Sequence, residues 1–269
     1  MLLKKLVWLF WLCCPLFFAD KSYADTISSF KEHSVVPLSD YYAYQLSEAN
    51  LSAAVFATRS FVRCELQNSY LMKEMTTAKA ASALIYRQNL FSLRFSHFGF
   101  SLFGEMNLLI GYARAFGNRV SIATHFHYLW QHAQGQEGVH SLTFDVSLFM
   151  KLSSKMGCGF VVYNPARLKY GMVSEIPLPI HLRFDFQYDI GRNILLFAAI
   201  DKELRRDWYV QLGALYKIKV LFIGMQVQFP RIVCGISGCI AWQRFLLGAD
   251  FQYTHPLGLV PRLKCQIIW

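Results

Sequence analysis

The sequence predicts an all-β fold: a transmembrane up-and-down antiparallel β-barrel of about 14 strands behind a short N-terminal periplasmic or plug segment. Three observations predict it: polar and apolar side chains alternate with period two, long and short connections alternate, and aromatic residues gather at strand ends. The segment "HLRFDFQYDI", residues 181–190, shows the first most clearly. Leu182, Phe184, Phe186 and Tyr188 share one face, and His181, Arg183, Asp185, Gln187 and Asp189 share the other. That period marks a half-buried strand. A soluble sandwich would turn the polar face to water and pack the apolar faces together; a membrane barrel does the reverse.

Composition favours the barrel. The 269 residues are 54% hydrophobic and 16% aromatic, with a mean hydropathy of +0.28; soluble domains usually hold about 45–50% apolar residues. After the first 24 residues, no stretch approaches the roughly 20 apolar residues of a transmembrane helix. Lys and Arg (27) outnumber Asp and Glu (17), for a net charge of +10. No dense basic run gathers that charge, so nucleic acid is not an expected partner.

Residues 1–24 read as a signal peptide: a basic start at Lys4-Lys5, an apolar run over 6–18, and a small-x-small site at Ser22-Tyr23-Ala24. Export follows, with Asp25 as the first mature residue. Residues 25–53 are polar, mixed and aperiodic, a candidate hatch, and 54–269 form the barrel. Of seven cysteines, Cys13 and Cys14 leave with the leader, so Cys64, Cys158, Cys234, Cys239 and Cys265 remain. Their odd number and wide spacing suggest neither a disulfide framework nor a zinc knuckle, but small apolar fillers of the wall.

Strands are expected near 56–67, 78–88, 90–97, 106–116, 119–130, 139–151, 156–163, 179–189, 193–204, 207–217, 219–229, 231–241, 244–254 and 260–269. Val120, Ile122, Thr124, Phe126, Tyr128 and Trp130 oppose Ser121, Ala123, His125 and His127. Leu142, Phe144, Val146 and Leu148 oppose Ser141, Thr143, Asp145 and Ser147. Gly117-Asn118, Ser153-Ser154-Lys155 and Gly191-Arg192 are tight-turn sequences. The longer connections, near 68–77, 98–105, 131–138 and 164–178, fall on the other side, although this rhythm fades in the last third. An even strand number puts both ends of the barrel chain on the periplasmic side. Trp130, Trp208 and Tyr253 lie at the strand ends beside the longer connections; Tyr188, Tyr216, Trp242 and Trp269 lie at the opposite ends. Two such girdles suit the two headgroup regions of a bilayer.

At this point "ELQNSYLMKEMTTAKAASALIY" and "LRFSHFGFSLFGEMNLLIGYARAFGNRVSIATHFHYL" bring a resemblance. So do "MGCGFVVYNPARLKYG", "EIPLPIHLRFDFQYDIGRNILLFAAIDKEL" and "YTHPLGLVPRLKCQIIW". Over residues 50–269 the chain resembles the PorV/PorQ-like outer-membrane barrels of Bacteroidetes-type bacteria, labelled after type IX secretion components and similar in fold to fatty-acid-channel barrels. The most specific pieces are the Ser-x-Phe-Gly segment at 96–99, Asn164-Pro165 and the loop His255-Pro256-Leu257-Gly258. The resemblance implies an outer-membrane location and a role as an envelope scaffold or secretion-associated barrel. The alternative it implies is a conduit for small hydrophobic or amphiphilic molecules. Implied partners are outer-membrane lipid, the assembly machinery that reads a terminal aromatic such as Trp269, and an envelope or secretion complex.

Chemistry-bearing clusters are few. His125 and His127 share an inward face, and a parity-preserving register would set Asp145 opposite His125. Two imidazoles and a carboxylate are a metal-capable set, but polar ladders in lumens are commonly hydrogen-bonded networks, and no metal or other cofactor is expected. The inward set His181, Arg183, Asp185 and Gln187 likewise reads as lumen lining. Leu195 and Phe197 on the next strand turn inward as well, which predicts a narrow or plugged interior. No Ser-His-Asp order with elbow glycines, no Gly-rich phosphate loop and no hydrolytic carboxylate pair is present, so the chain is not expected to be an enzyme.

Overall fold

The computed structural model describes residues 36–135, 137–169, 178–204 and 207–269. The leader, residues 25–35 of the candidate hatch and residues 170–177 of the long connection lie outside them. Among the described residues, two short helices, α1 (Leu38–Leu46) and α2 (Leu51–Ala54), precede fourteen strands. These are β1 (Phe61–Asn68), β2 (Thr76–Tyr86), β3 (Asn89–Gly99), β4 (Phe103–Phe116), β5 (Val120–Ala133), β6 (Val139–Lys151) and β7 (Met156–Tyr163). They continue as β8 (His181–Ile190), β9 (Ile194–Glu203), β10 (Trp208–Ile218), β11 (Leu221–Phe229), β12 (Val233–Trp242), β13 (Phe245–Thr254) and β14 (Gly258–Ile268). Each pairs antiparallel with its neighbour in sequence, and β1 pairs with β14, so the sheet closes on itself. The expected fold is borne out.

Strand boundaries shift by up to five residues from the sequence reading, and two of the changes reshape the connections. β1 begins at Phe61 because the preceding residues, which also alternate loosely, are drawn into α2 and the turn after it, where the Thr58 amide donates to Asp40 Oδ2 at 3.0 Å. β3 and β4 run further than expected, so the anticipated loop 98–105 contracts to 100–102. The reversal depends on Gly99, at φ +127°, where a Cβ would lie 2.2 Å from the Phe103 carbonyl oxygen. The Phe100 amide then closes the turn on that oxygen at 2.8 Å.

The alternation decides which way the wall faces. On β5, Ser121, Ala123, His125 and His127 are buried while Phe126 is 63% exposed. On β8, Asp185 is buried to 2% exposure while Phe184 is 44% exposed. Polar side chains therefore line the inside, and the exposed apolar band, which also carries Ile110, Leu142, Ile200, Leu212 and Ile236, is the surface that lipid covers. Closure leaves no strand edge unpaired, which hydrocarbon requires. At the closing seam Ser60 and Trp269 exchange two backbone hydrogen bonds of 3.1 Å each, and Cys64 faces Cys265 in register. None of the five cysteines among the described residues forms a disulfide; Cys239 is buried inside and Cys234 is exposed outside.

Trp130, Trp208 and Tyr253 stand near the connections 134–138, 204–207 and 255–257. Tyr188, Tyr216, Trp242 and Trp269 stand at the other ends of their strands. All but Trp130 are exposed on the outer face; Trp130 is half covered, stacked on His132 at 4.9 Å.

Phe184→Arg puts a charge in the middle of the lipid face and should cost about 2–4 kcal/mol. Loss of heat-modifiable gel mobility would report it, and Phe184→Leu should keep the parent's mobility. Membrane orientation is read by cysteine labelling: Gln134→Cys should react in intact cells, whereas Asn118→Cys and Ser154→Cys should need permeabilisation. The opposite pattern reverses the orientation.

Candidate functional site: a plugged lumen

The lumen is filled from the chain's own N-terminal side. On α1, Leu38, Asp40, Tyr41, Tyr42, Tyr44 and Leu46 are all buried. Ser39 is exposed and Ala43 and Gln45 are half-buried, so a narrow strip of α1 faces open space while most of its circumference packs on protein. Its tyrosines reach different parts of the wall: Tyr41 stacks on Phe222 of β11 at 4.3 Å, Tyr42 meets Phe197 of β9 at 5.3 Å, and Tyr44 meets Phe61 of β1 at 5.1 Å. Burial pushes all three hydroxyls well above the ordinary tyrosine pKa. Further round, Ser121 Oγ of β5 donates to the Ser52 carbonyl at 2.7 Å, and Lys217 Nζ of β10 donates to the Val36 carbonyl at 2.7 Å.

Two arginines from the wall hold the end of α1. The last carbonyls of a helix lack intrahelical partners and carry partial negative charge. Arg63 Nη1 donates to the Tyr44 carbonyl at 2.9 Å, and Arg94 donates to the Ser47 and Glu48 carbonyls at 2.7 and 2.9 Å. Arg63 also pairs with Glu48 at 2.8 Å and Glu65 at 3.0 Å, and Lys79 stands 3.7 Å from Glu48. Burial alone would raise the Glu48 pKa. Arg63 outweighs it, with help from Glu65, Lys79 and Lys264, and holds the carboxyl well below the usual range. Lys264 bridges Gln45 at 2.8 Å and Asp250 at 2.6 Å. Glycines let plug and wall meet: a Cβ at Gly159 would lie 2.3 Å from Asn50 Nδ2, and one at Gly111 would lie 2.7 Å from Leu51 Cδ2.

The sequence-derived polar residues fall into two groups. His125 and His127 both point at Asp145, whose carboxylate lies 3.1 Å from His125 Nδ1 and 2.8 Å from His127 Nε2; all three are buried. The register sets His125 opposite Asp145 and His127 opposite Thr143. On β8, Arg183 pairs with Asp185 at 2.7 Å and Asp201 at 2.8 Å, and Asn50 Nδ2 of the plug reaches Asp185 at 3.5 Å. Gln187 lies over Gly157, where a Cβ would be 3.2 Å from its Cγ. His181 is not part of either group: it is half-buried, 4.0 Å from Glu203 and against Tyr163.

Sequence reasoning missed Arg63 and Arg94, although both occupy inward positions of alternating strands. It marked Asn164 only as a motif residue. Asn164 is fully buried at φ +52°, accepts from Thr143 Oγ1 at 3.1 Å and the Leu168 amide at 2.8 Å, and donates to the Leu178 carbonyl at 3.0 Å. It ties both described ends of the long connection to the wall.

Two hollows remain. One, of about 210 Å³, lies inside between α1 and the β8–β14 wall, bordered by Tyr42, Glu48, Arg183, Phe197 and Gln226. The other, of about 670 Å³, opens on the apolar side, bordered by Phe186, Leu196, Ala198, Leu212 and Ala214. They share Phe197, Met225 and Gln226, so they lie back to back across β9–β11.

No family model and no curated protein sequence matches this chain. Solved structures do, at the level of fold. The CymD monoaromatic hydrocarbon channel superposes with a TM-score of 0.61 at 9% identity, covering 83% of this chain and 91% of its own. A Pseudomonas aeruginosa FadL homologue gives 0.62 at 9%, covering 82% and 93%. The Ralstonia pickettii toluene transporter TbuX gives 0.59 at 8%, covering 83% and 92%. The fold is that of outer-membrane channel barrels, and the chain is an outer-membrane β-barrel protein.

Arg94→Ala removes two charge-assisted hydrogen bonds to the plug, each worth about 1.5–3 kcal/mol, and leaves the ladder intact. The variant should keep heat-modifiable mobility yet open more often than the near-silent parent in planar bilayers. A parent with large, stable conductance would overturn the plugged-lumen reading.

Proposed function

We propose that this barrel is a conduit that carries small hydrophobic or amphiphilic molecules across the outer membrane. The observation that supports it best is the pair of hollows meeting at Phe197, Met225 and Gln226. A solute held inside beside Tyr42 and Arg183 stands one wall thickness from an apolar hollow on the lipid side. The wall there is thinned by small residues, Ala198, Gly213 and Ala214. The inner hollow is smaller than the roughly 300–1,000 Å³ of most ligand pockets, which favours a compact solute over a long extended chain. Its border mixes tyrosine rings with Arg183 and Gln226, a lining that suits a molecule with one polar end.

Fold neighbours described as a monoaromatic hydrocarbon channel and a toluene transporter point the same way. The secretion-scaffold reading rests on the PorV/PorQ-like resemblance and on the connections 131–138 and 164–178 as partner surface. Nothing in the wall or the plug favours it over a conduit. The conduit reading involves no catalysis; its partners are membrane lipid and the machinery that assembles terminal strands such as β14.

The test is uptake of radiolabelled toluene and octanoate by a deletion strain complemented with parent or Ala214→Trp, which fills the outer hollow from the lipid side. The parent should restore uptake of at least one solute, and Ala214→Trp should lower it severalfold at equal barrel levels. Unchanged uptake after deletion, together with stoichiometric recovery of secretion components from solubilised envelope, would favour the scaffold.

A further inference from the structure

The cluster on β5 and β6 has chemistry that a conduit does not need. His125 and His127 are two residues apart, so the pleat turns both rings to the same side, and the register brings Asp145 directly across from His125. Three donor atoms on separate side chains converge: His125 Nδ1, His127 Nε2 and a carboxylate oxygen of Asp145, all within 4.8 Å of one another. Among the described residues, this is the one group of three or more potential metal ligands so placed.

A hydrogen-bonded network is the simpler account of these contacts, and it leaves atoms over. Each neutral ring can donate one N–H to Asp145. The outer nitrogens, His125 Nε2 and His127 Nδ1, are then buried acceptors without a hydrogen-bond partner in the protein. Buried polar networks are normally satisfied throughout. A cation held by the inner nitrogens would leave the same outer atoms as N–H groups, so the case for it rests on the inner side, where both rings aim at one carboxylate.

We propose that His125, His127 and Asp145 form a binding site for a divalent transition-metal cation of the zinc class on the lumen side of β5 and β6. Two imidazole nitrogens and one carboxylate oxygen make a borderline donor set, suited to zinc, cobalt or nickel and poorly suited to magnesium or calcium, which prefer oxygen alone. Metal–ligand bonds of about 2.0–2.2 Å in tetrahedral array set donor atoms about 3.3 Å apart. The two nitrogen–oxygen contacts of 3.1 and 2.8 Å need widen by only a few tenths of an ångström, and the two nitrogens, within 4.8 Å of each other, need draw together by a rotation of the imidazole rings. The two strands are bonded along their whole length, so the backbone holds the three ligands in place before the cation arrives. Three protein ligands leave a further coordination position for water or an exogenous group.

The test uses the untagged full-length mature chain, purified from membranes in detergent, stripped with a chelator and titrated with cobalt(II). The parent should bind one equivalent with a visible absorption band that zinc displaces. His127→Gln and Asp145→Ala, folded by gel mobility, should bind at least tenfold more weakly, and the loop variant His255→Gln should bind like the parent. A folded parent that takes up no cobalt, or a His127→Gln that binds as the parent does, overturns the site. Should both variants fail to fold, X-ray absorption on the zinc-loaded parent decides. Two imidazole nitrogens with oxygen support the assignment, and an all-oxygen or single-imidazole shell overturns it.

Discussion

Hydrocarbon offers no hydrogen bond to an amide or a carbonyl, and the structure is organised around that constraint. A chain built of strands can meet it only by pairing its first strand with its last, so the contact between β1 and β14 completes every other pairing. Closure then forces the side chains to divide. One face of each strand touches lipid and must be apolar; the other is enclosed and is free to be polar. The strands therefore carry Phe184 and Phe126 outward and Asp185 and His125 inward, the inverse of a soluble protein.

An enclosed polar surface has its own cost, because buried charges without partners are strongly destabilising. The plug and the wall answer this together. Arg63 and Arg94 bring positive charge to a helix end that presents bare carbonyls. Arg183 sits between Asp185 and Asp201, and Lys264 between Asp250 and Gln45. The aromatic contacts of Tyr41, Tyr42 and Tyr44 supply the apolar part of the same interior. The core of this protein is thus the contact between a short helix and the inner face of a wall, and the hollow beside Tyr42 is what that contact leaves unfilled.

How much could be read beforehand followed from how local each signal is. The alternation in 120–130 and 181–189 is a property of successive residues, so strand identity and number were legible. Strand ends were less so, since the extension of β3 to Gly99 depends on pairing with Gly104. Helix α1 was not legible because its buried residues, Leu38, Asp40, Tyr41, Tyr42, Tyr44 and Leu46, cover most of its circumference and mix polar with apolar, so no clean stripe gives it a period. The destinations of Arg63 and Arg94 were hidden for a related reason: their acceptors lie 19, 46 and 47 residues away in the chain. The facing of His125 and Asp145 could be stated only as conditional on register, and the register depends on a turn whose length the sequence leaves loose.

The plug lies on the N-terminal side of the wall that surrounds it. Residues 38–54 are translated before any strand exists, while the seam that encloses them needs Trp269 to reach Ser60. Once β1 and β14 are paired, the wall is hydrogen-bonded all the way round, and a helix can enter only through an end of the barrel. A plug already in place when the seam closes needs no such entry. In that order of events strands gather around a tethered segment, and the last pairing locks in whatever that segment has reached. A chain whose plug lags behind closes around water, and the segment must then find its seat through an open end.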